Sequence, residues 1–498
     1  MIQFPRIIQG GMGVGVSNWR LANAVSRLGQ LGVVSGTALD QVLVRRLADG
    51  DAGGHMRRGL DAFPFPEMAR RIWNEYFVAG GKPADAPYPA TPMHQRNEPR
   101  KLVELLMVSN FVEVFLALDG HKNPVGINFL EKVQLPHLPS IYGAMLAGVG
   151  YVLMGAGIPL HIPGVLDALA TQRPAEYKLA VTGAAVSDNT MMHFDPLDYA
   201  EGPLPRLERP RFLAIVSSNT LATTMLRRAS GKVDGLVIET AIAGGHNAPP
   251  RGKLQLSPSG QPVYGERDQV KIDELRGLGV PFWMAGGYGN AAMLRQALDE
   301  GAVGVQVGTA FALSHESGLR PDLKQQLLAQ ARMGAGEVFT DPLASPTGFP
   351  FKVARLDGTS SEAQVYAGRR RICDLGYLRE PYATQDGNIG YRCAAEPLTN
   401  YLAKGGKIED TEGRKCLCNA LMANIGHAQQ RNGNGAEPAL VTAGDDLNTA
   451  AQFIAPGRES YTAADVVKSL LSLIDDATEP NEVSSVNVVL PDPVQVAS

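Results

Sequence analysis

A histidine directly follows a pair of glycines at the end of an apolar stretch. His246 lies within residues 238–247, whose sequence is IETAIAGGHN. An imidazole gains or loses a proton near neutral pH, so His246 could act as a general base beside a bound ring. An isolated histidine is more commonly hydrogen-bonded within its own loop, and the residues alone leave that structural role open.

Three glycine clusters have the composition of loops that approach a phosphate or a planar ring. They are residues 9–15 (QGGMGVG), 285–289 (AGGYG) and 304–309 (GVQVGT). Glycine has no Cβ, so its backbone can lie against such a group and donate an N–H. Ordinary strand-to-helix turns share this composition, so each cluster alone is equally consistent with a turn.

All four cysteines of the chain fall in one late segment, at Cys373, Cys393, Cys416 and Cys418. Four are too few for a disulfide-stapled secreted protein of this length. Their clustering suggests thiolates that converge on a metal, either zinc or an iron–sulfur cluster. The spacing matches neither the paired zinc pattern nor the common ferredoxin patterns, so buried free thiols and a catalytic disulfide stay as alternatives.

Short apolar runs that end near glycine recur along the chain, usually followed by a helix-like stretch. Apolar strands alternating with helices predict a parallel sheet covered on its outside, and eight of them suit a closed (β/α)8 TIM barrel. A doubly wound open sheet would have fewer strands and a dinucleotide fingerprint, which we do not find. The runs are 6–12, 31–36, 124–130, 149–155, 212–217, 233–239, 281–287 and 303–309.

In this barrel His246 follows the sixth strand, and the two later glycine clusters close the seventh and eighth. Barrel enzymes place catalytic groups at these strand ends and commonly hold a phosphate after strands seven and eight. A further run, 178–186, competes with 212–217 for the fifth strand. We expect it to form an extra hairpin or an extension, because only 212–217 leads directly into a helix. Amphipathic helices are predicted at 19–28, 163–170, 220–229 and 290–300.

The predicted organisation is an α/β barrel over residues 1–315 with two additions. Residues 49–118 form an insertion after the second strand, which we expect to cover the active site or to form an interface in a homo-oligomer. The extension over 316–475 is expected to be mainly helical at first, then irregular around the cysteines, with a final helix at 463–473. The polar tail, 476–498, is predicted to be disordered.

Charge restricts the class of partner. The chain has 46 Lys and Arg against 50 Asp and Glu, so no overall field draws it to nucleic acid or to an anionic membrane. No stretch has the pattern of a secretory signal or a membrane span. We therefore expect a cytoplasmic protein with a small-molecule substrate.

The motifs, in this order, resemble the nitronate monooxygenase family, formerly called 2-nitropropane dioxygenases, over roughly residues 1–315. Members of that family are FMN-containing barrels. The resemblance implies that His246 is the catalytic base or orients the substrate, and that Asn128, in the motif GINF, hydrogen-bonds the flavin. It further places along the flavin or at its phosphate the residues Gln9, Gly10, Gly11, Met12, Gly244, Gly245, Gly286, Gly287, Gly308 and Thr309.

The chain departs from the family in length. The insertion and the extension make it much longer than a simple nitronate monooxygenase, and closer in length to the flavin-dependent enoyl reductases of polyunsaturated fatty acid synthases. Arg251, soon after the histidine, could pair with an anionic substrate group or lie exposed in a turn.

Three functions follow from the resemblance. The first is oxidation of an alkyl nitronate or a similar carbon acid with O2. The second is reduction of an enoyl thioester by reduced flavin, with NAD(P)H as the electron source. The third is a flavin-bearing electron-transfer or scaffold protein that docks a partner through the Cys-rich tail.

Overall fold

The computed structural model describes residues 4–185, 190–431 and 435–474. Eight parallel strands are hydrogen-bonded in the order β1-β10-β9-β8-β7-β4-β3-β2. The barrel closes between its two ends, where the Gln9 N–H donates to Leu31 O (2.9 Å) and the Leu31 N–H donates to Ile7 O (3.0 Å). The TIM barrel that the sequence predicts is confirmed.

Each of the eight predicted apolar runs contains most or all of one barrel strand. The barrel strands are β1 (Ile7–Gln9), β2 (Gly32–Ser35), β3 (Val125–Leu130), β4 (Tyr151–Gly155), β7 (Arg211–Val216), β8 (Gly235–Glu239), β9 (Phe282–Ala285) and β10 (Gly304–Val307). The remaining strands form four short antiparallel hairpins, which are β5 (Ala175–Lys178) with β6 (Met191–Phe194), β11 (Val338–Asp341) with β12 (Phe351–Ala354), β13 (Glu380–Ala383) with β14 (Ile389–Arg392), and β15 (Gln430–Arg431) with β16 (Gly435–Ala436).

Helices cover the outside of the barrel and fill both additions. The α-helices are α1 (Trp19–Arg27), α2 (Leu39–Ala48), α3 (His55–Asp61), α4 (Pro66–Tyr76), α5 (Arg100–Leu118), α6 (His137–Leu146), α7 (Ile162–Ala170), α8 (Asn219–Arg228), α9 (Ile272–Arg276), α10 (Ala291–Asp299), α11 (Thr309–Ala312), α12 (Pro321–Arg332), α13 (Ala363–Gly368), α14 (Leu398–Ala403), α15 (Leu417–Asn424) and α16 (Ala463–Leu471). Asn290 caps α10, because its side chain accepts a hydrogen bond from the Met293 N–H (2.9 Å). Across the described ranges, no helix combines the length and apolar character needed to cross a membrane.

The inside of the barrel is filled by every second side chain of its strands, as the period of two in a strand requires. Ile8, Val33, Leu153, Leu213 and Val237 belong to this interior cluster and are fully or almost fully buried. Trp283 lies in the same cluster, and its indole N–H donates to Pro5 O (2.8 Å). The alternation therefore determines which residues at the strand ends face the barrel mouth.

The insertion after β2 packs on the outer wall and on the extension. Helix α5 is mostly buried and contacts α1, α2 and α6. The irregular segment before it bonds to the extension, where the Tyr88 N–H donates to Gln429 Oε1 (2.8 Å) and Arg379 donates to His94 O (2.6 Å). The run 178–186 shares only Lys178 with the β5–β6 hairpin, whose strands flank the run, and residues 186–189 lie outside the described ranges.

The extension contains helices and irregular segments, as predicted, and also hairpins that the sequence pattern does not reveal. Its last helix, α16, packs against α1 and α10 and so occupies the outer position that follows the eighth barrel strand. Thr462 and Asp465 form a capping box at its start. The helix buries Val466, Val467 and Leu470, so the end of the extension completes the ring of helices around the barrel. The tail predicted to be disordered lies outside the described residues.

Leu470→Ala tests whether α16 is an integral part of the barrel. Because Leu470 is fully buried, we expect the free energy of unfolding to fall by about 2–5 kcal/mol. Lys468→Ala, on the exposed side of the same helix, should change it by less than about 0.5 kcal/mol. Urea denaturation followed by circular dichroism measures both. Equal small losses in the two variants would contradict the proposed packing.

Candidate active site

A large cavity lies at the carboxyl ends of the barrel strands. It encloses about 1500 Å³, counting the space at its open mouth. Every barrel strand or the loop that follows it contributes to the wall, and the extension contributes the side away from the barrel. Barrel enzymes place their chemistry at this face.

The floor of the cavity is the uppermost inward-facing layer of the barrel. Because side chains alternate between the two faces of a strand, each member of this layer lies two residues beyond an interior position of the layer below. Glu239 follows Val237 in this way, and Ile215 follows Leu213. Asn128 Oδ1 and Gln306 Oε1 are buried in this layer, and no hydrogen-bond partner for either is found among the described residues. Buried polar atoms without partners are uncommon, so this floor is suited to a polar ligand. The floor consists of Ser35, Asn128, Gly155, Ile215, Glu239, Ala285 and Gln306.

The first glycine cluster forms one wall. A Cβ on Gly11 would lie 2.3 Å from Asn128 Cβ, so only glycine allows the loop to pass directly over Asn128. Gly10, Gly11 and Met12 line the cavity, as the resemblance implies.

Gln9 does not line the cavity. Its neighbour Ile8 points into the barrel, so Gln9 points to the opposite face. There its Nε2 donates to Ser17 Oγ (2.8 Å), and its Oε1 accepts from the Val33 N–H (3.0 Å). Gln9 therefore fixes the first loop against β2 and does not face a ligand in the cavity.

The loops after β9 and β10 form the region expected to hold a phosphate. Gly286 and Gly287 have φ values of 81° and 82°, which favour glycine. In the described part of the chain, neither of their backbone N–H groups donates to a protein acceptor, so both are available to an anion. Gly308 and Thr309 also line the cavity, but the Thr309 hydroxyl already accepts from the Gly444 N–H (2.9 Å).

His246 lines the cavity from the loop after β8. Its Nε2 lies 2.7 Å from Ser345 Oγ, which in turn lies 2.8 Å from Thr347 Oγ1. Phe351 packs edge-on against the ring, with the centroids 4.9 Å apart. Burial lowers the pKa of His246 to about 4, so the imidazole is neutral at neutral pH.

The extension holds this loop by backbone hydrogen bonds. The Lys352 N–H donates to Gly245 O (2.9 Å), and the Asn247 N–H donates to Pro350 O (2.9 Å). From the other side, the Gly245 N–H donates to Thr442 Oγ1 (2.7 Å). Since a Cβ on Gly244 would lie 2.8 Å from the Ala443 carbonyl carbon, this glycine is required for the close packing of the extension.

Comparisons with known proteins find similarity to one enzyme family over part of the chain. The family model described as nitronate monooxygenase matches residues 190–341, which include β7 to β10 and His246. This part of the chain is therefore similar to the nitronate monooxygenase family. A probable nitronate monooxygenase of Bacillus subtilis (strain 168) is 33% identical over 114 residues, which are 23% of this chain and 31% of that relative. The chain thus matches about a third of the length of this curated relative.

Two solved structures show limited similarity to this chain. FabK from Thermotoga maritima superposes with a TM-score of 0.45 at 15% identity, over 95% of this chain and 92% of that one. A nitroalkane oxidase from Streptomyces ansochromogenes gives a TM-score of 0.42 at 15% identity, over 94% and 96% of the two chains.

Three further residues lie at the cavity or contact its wall, and the sequence analysis did not identify them. Glu239 and Gln306 are in the floor, and the period of two from Val237 and Gly304 is the signal that could have found them. Ser345 lies beyond the segment that matches the nitronate monooxygenase model, and its contact with His246 has no sequence signal.

Arg251 is exposed and does not line the cavity, so the structure places it in a turn.

The four cysteines line one small cavity, as their clustering in the sequence suggests. The predicted metal site is not supported, because in the described ranges no three or more His, Cys, Asp or Glu side chains are placed to hold a metal ion. All four are free thiols, and burial raises the pKa of each, that of Cys373 to about 12. The buried free thiols that the sequence left as an alternative fit these observations.

The basic residues before Cys373 are largely engaged in structure. Arg369 pairs with the buried Glu437, and Arg371 donates to Thr411 O (2.9 Å). Arg370 is exposed. These residues stabilise the Cys-containing segment.

Asp445→Asn tests the attachment of the extension beside the loop that contains His246. Lys352 Nζ is buried and lies 2.7 Å from both Asp445 carboxylate oxygens, and it also donates to Thr340 Oγ1 (2.8 Å). The substitution therefore leaves a buried ammonium group with hydrogen-bond acceptors but no anionic partner. We expect the free energy of unfolding to fall by about 1–3 kcal/mol. Glu337→Gln breaks the exposed pair with Arg355 and should cost less than about 1 kcal/mol. If the free energy of unfolding falls no more for Asp445→Asn than for the Glu337→Gln control, the Lys352–Asp445 pair does not hold the extension.

Proposed function

We propose that this protein is an FMN-dependent oxidoreductase that oxidises an alkyl nitronate or a similar small carbon acid with O2. The observation that carries the proposal is the set of unsatisfied polar groups in one cavity. These are the buried oxygens of Asn128 and Gln306 in the floor and the free N–H groups of Gly286 and Gly287 in the wall. A polar ring over the floor and a phosphate at the glycines would satisfy all of them.

His246 and the Gly286–Gly287 turn lie on different loops of the cavity wall. A phosphate at the glycines would therefore leave the histidine free to meet a substrate. FMN supplies two-electron redox chemistry when it is bound, and the protein supplies binding, orientation and proton transfer.

His246 has the geometry of a base that is neutral before the substrate binds. If Nε2–H donates to Ser345 Oγ and the Ser345 hydroxyl donates to Thr347 Oγ1, the lone pair of Nδ1 is left to take a proton. A substrate that develops negative charge beside the ring raises the pKa of His246 from about 4 towards its usual value. The imidazole therefore becomes a stronger base as the carbon acid loses its proton.

The apolar wall favours a second candidate function. Val14, Leu319, Leu421 and Val441 line the cavity, and the last three come from the extension. Such a wall suits a longer aliphatic chain, as in the reduction of an enoyl thioester with NAD(P)H. The third hypothesis, a flavin-bearing electron-transfer or scaffold protein that docks a partner through the Cys-rich tail, stays a prediction.

Anaerobic reduction of the flavin separates the two candidates. If the first function is right, a preformed alkyl nitronate bleaches the flavin absorbance and NADPH and NADH do not. Bleaching by a nicotinamide cofactor, with no response to the nitronate, would contradict the oxidase and favour the enoyl reductase.

His246→Ala should retain bound flavin and lose turnover of a substrate that requires proton abstraction. Removal of a general base typically lowers the rate by about two to four orders of magnitude. Steady-state kcat with a nitroalkane, together with the flavin spectrum, measures the effect. Full turnover by His246→Ala would reject the proposed role.

Ser345→Ala tests whether the hydroxyl orients His246. A hydrogen bond of this kind contributes about 0.5–1.5 kcal/mol, so we expect kcat to fall by a factor of about two to ten with KM unchanged. Ser345→Thr keeps the hydroxyl and should restore most of the rate. If the Ala and Thr variants lose activity equally, the residue acts through packing alone.

A further inference from the structure

A second cavity opens on the extension, and no residue lines both it and the cavity at the barrel mouth. Its wall comes from the segment before the first cysteine, from the region of α14 and from one residue of the insertion. Four of the lining residues are cationic, and one carries a carboxylate. The cations are Arg370, Arg371, Arg379 and Lys404, and the carboxylate belongs to Glu396. We call this site the arginine cavity.

The carboxylate in the arginine cavity is already paired with the lysine. Lys404 Nζ lies 3.0 and 2.8 Å from the two carboxylate oxygens of Glu396. The Glu396 side chain is buried, and that of Lys404 is 33% exposed, so water screens this pair only in part. The charges of the lysine and the glutamate cancel, and the three arginines remain as the net charge of the cavity.

Two of these arginines are fixed by neutral acceptors. Arg371 Nη2 donates to Thr411 O (2.9 Å). Arg379 Nη2 donates to His94 O (2.6 Å), and its guanidinium group lies over the Tyr391 ring, 5.3 Å from the centroid. In the described part of the chain, neither arginine has a carboxylate partner. Both guanidinium groups are therefore held in place with their charges uncompensated.

The third arginine has no partner of any kind. Arg370 is exposed, and within the described ranges it forms no hydrogen bond or ion pair. Its neighbour Arg369, in contrast, pairs with Glu437, and Arg392 pairs with Glu380 (2.7 Å). The acids of this region thus neutralise arginines that lie outside the cavity. Three like charges around one cavity repel one another, and a bound anion offsets that repulsion.

The charge and geometry of the cavity favour a phosphate over a carboxylate. A phosphate monoester carries nearly two negative charges at neutral pH and has three strong acceptor oxygens, whereas a carboxylate carries one charge. Guanidinium groups donate paired N–H bonds that match phosphate oxygens. Met93 and Ile372 also line the cavity, and they provide apolar contacts for the organic part of a ligand.

We propose that the arginine cavity binds the phosphate group of a small phosphorylated molecule, at a site separate from the flavin cavity. Arg370, Arg371 and Arg379 donate to the phosphate oxygens. Because Met93 belongs to the insertion and the arginines belong to the extension, a bound ligand also stabilises the packing of these two parts. Free phosphate and a nucleotide share this chemistry, and the choice of probes distinguishes them.

The test is isothermal titration calorimetry of the full chain after incubation with saturating FMN, which occupies the proposed phosphate site at the barrel mouth. The probes are inorganic phosphate, adenosine 5′-monophosphate and acetate. We expect one phosphate-containing probe to bind per chain and acetate to bind far more weakly. Tighter binding of the nucleotide would identify an organic ligand, and equal binding would identify free phosphate. If neither phosphate probe binds, or acetate binds as tightly, the proposal is wrong.

Arg370→Gln locates the bound phosphate, because this side chain forms no contact that the fold requires. Loss of one charge-assisted hydrogen bond typically weakens binding by about tenfold. Arg379→Lys keeps the charge but removes the paired N–H donors, so it should also weaken binding. Arg228→Gln is the matched control, since Arg228 is exposed on α8 and lines neither cavity.

The control variant should bind phosphate like the unsubstituted protein. Circular dichroism establishes that each variant is folded. Unchanged affinity in both folded variants, Arg370→Gln and Arg379→Lys, would overturn the proposal, because a phosphate bound at Gly286 and Gly287 would give that result.

Discussion

The packing of the extension against the loop after β8 is the contact on which the site depends. This loop contains His246, and on its own it would be an exposed connection at the barrel mouth. Backbone hydrogen bonds from residues 350–352 and a side-chain hydrogen bond from Thr442 hold it from two sides. Because Ser345 and Phe351 also contact the imidazole, the barrel supplies the histidine and the extension determines its environment.

The same contact explains why the chain is long. The extension supplies part of the cavity wall, and its end supplies α16, which fills the outer position after the eighth strand. A barrel without α16 would expose the apolar surfaces that Val466, Val467 and Leu470 now cover. The extension is thus part of the core, and the cavity is formed jointly by both parts of the chain.

Much of the barrel could be predicted from the sequence, because apolar runs between glycines are a strong local signal. The glycine clusters also lie at the cavity, since strand order places their loops at one face. Side-chain direction was predicted less well. Gln9 was assigned to the flavin by its place in a motif, although the interior position of Ile8 directs it to the opposite face. Glu239 was missed, although the same alternation from Val237 places it in the floor.

The remaining features depend on contacts between distant parts of the chain, which no local pattern encodes. The bond from Ser345 to His246 and the position of α16 between α1 and α10 are of this kind. The cysteines show the converse case. Their clustering in sequence does predict a common cavity, but whether thiols in a cavity bind a metal depends on the directions of their side chains.

The most direct test of the account is the flavin content of the purified full chain. The cofactor would be released by heat denaturation, identified by chromatography and quantified by absorbance against protein concentration. The account predicts FMN at a ratio approaching one per chain, either as purified or after incubation with FMN. A chain that is folded and still binds no FMN would contradict it.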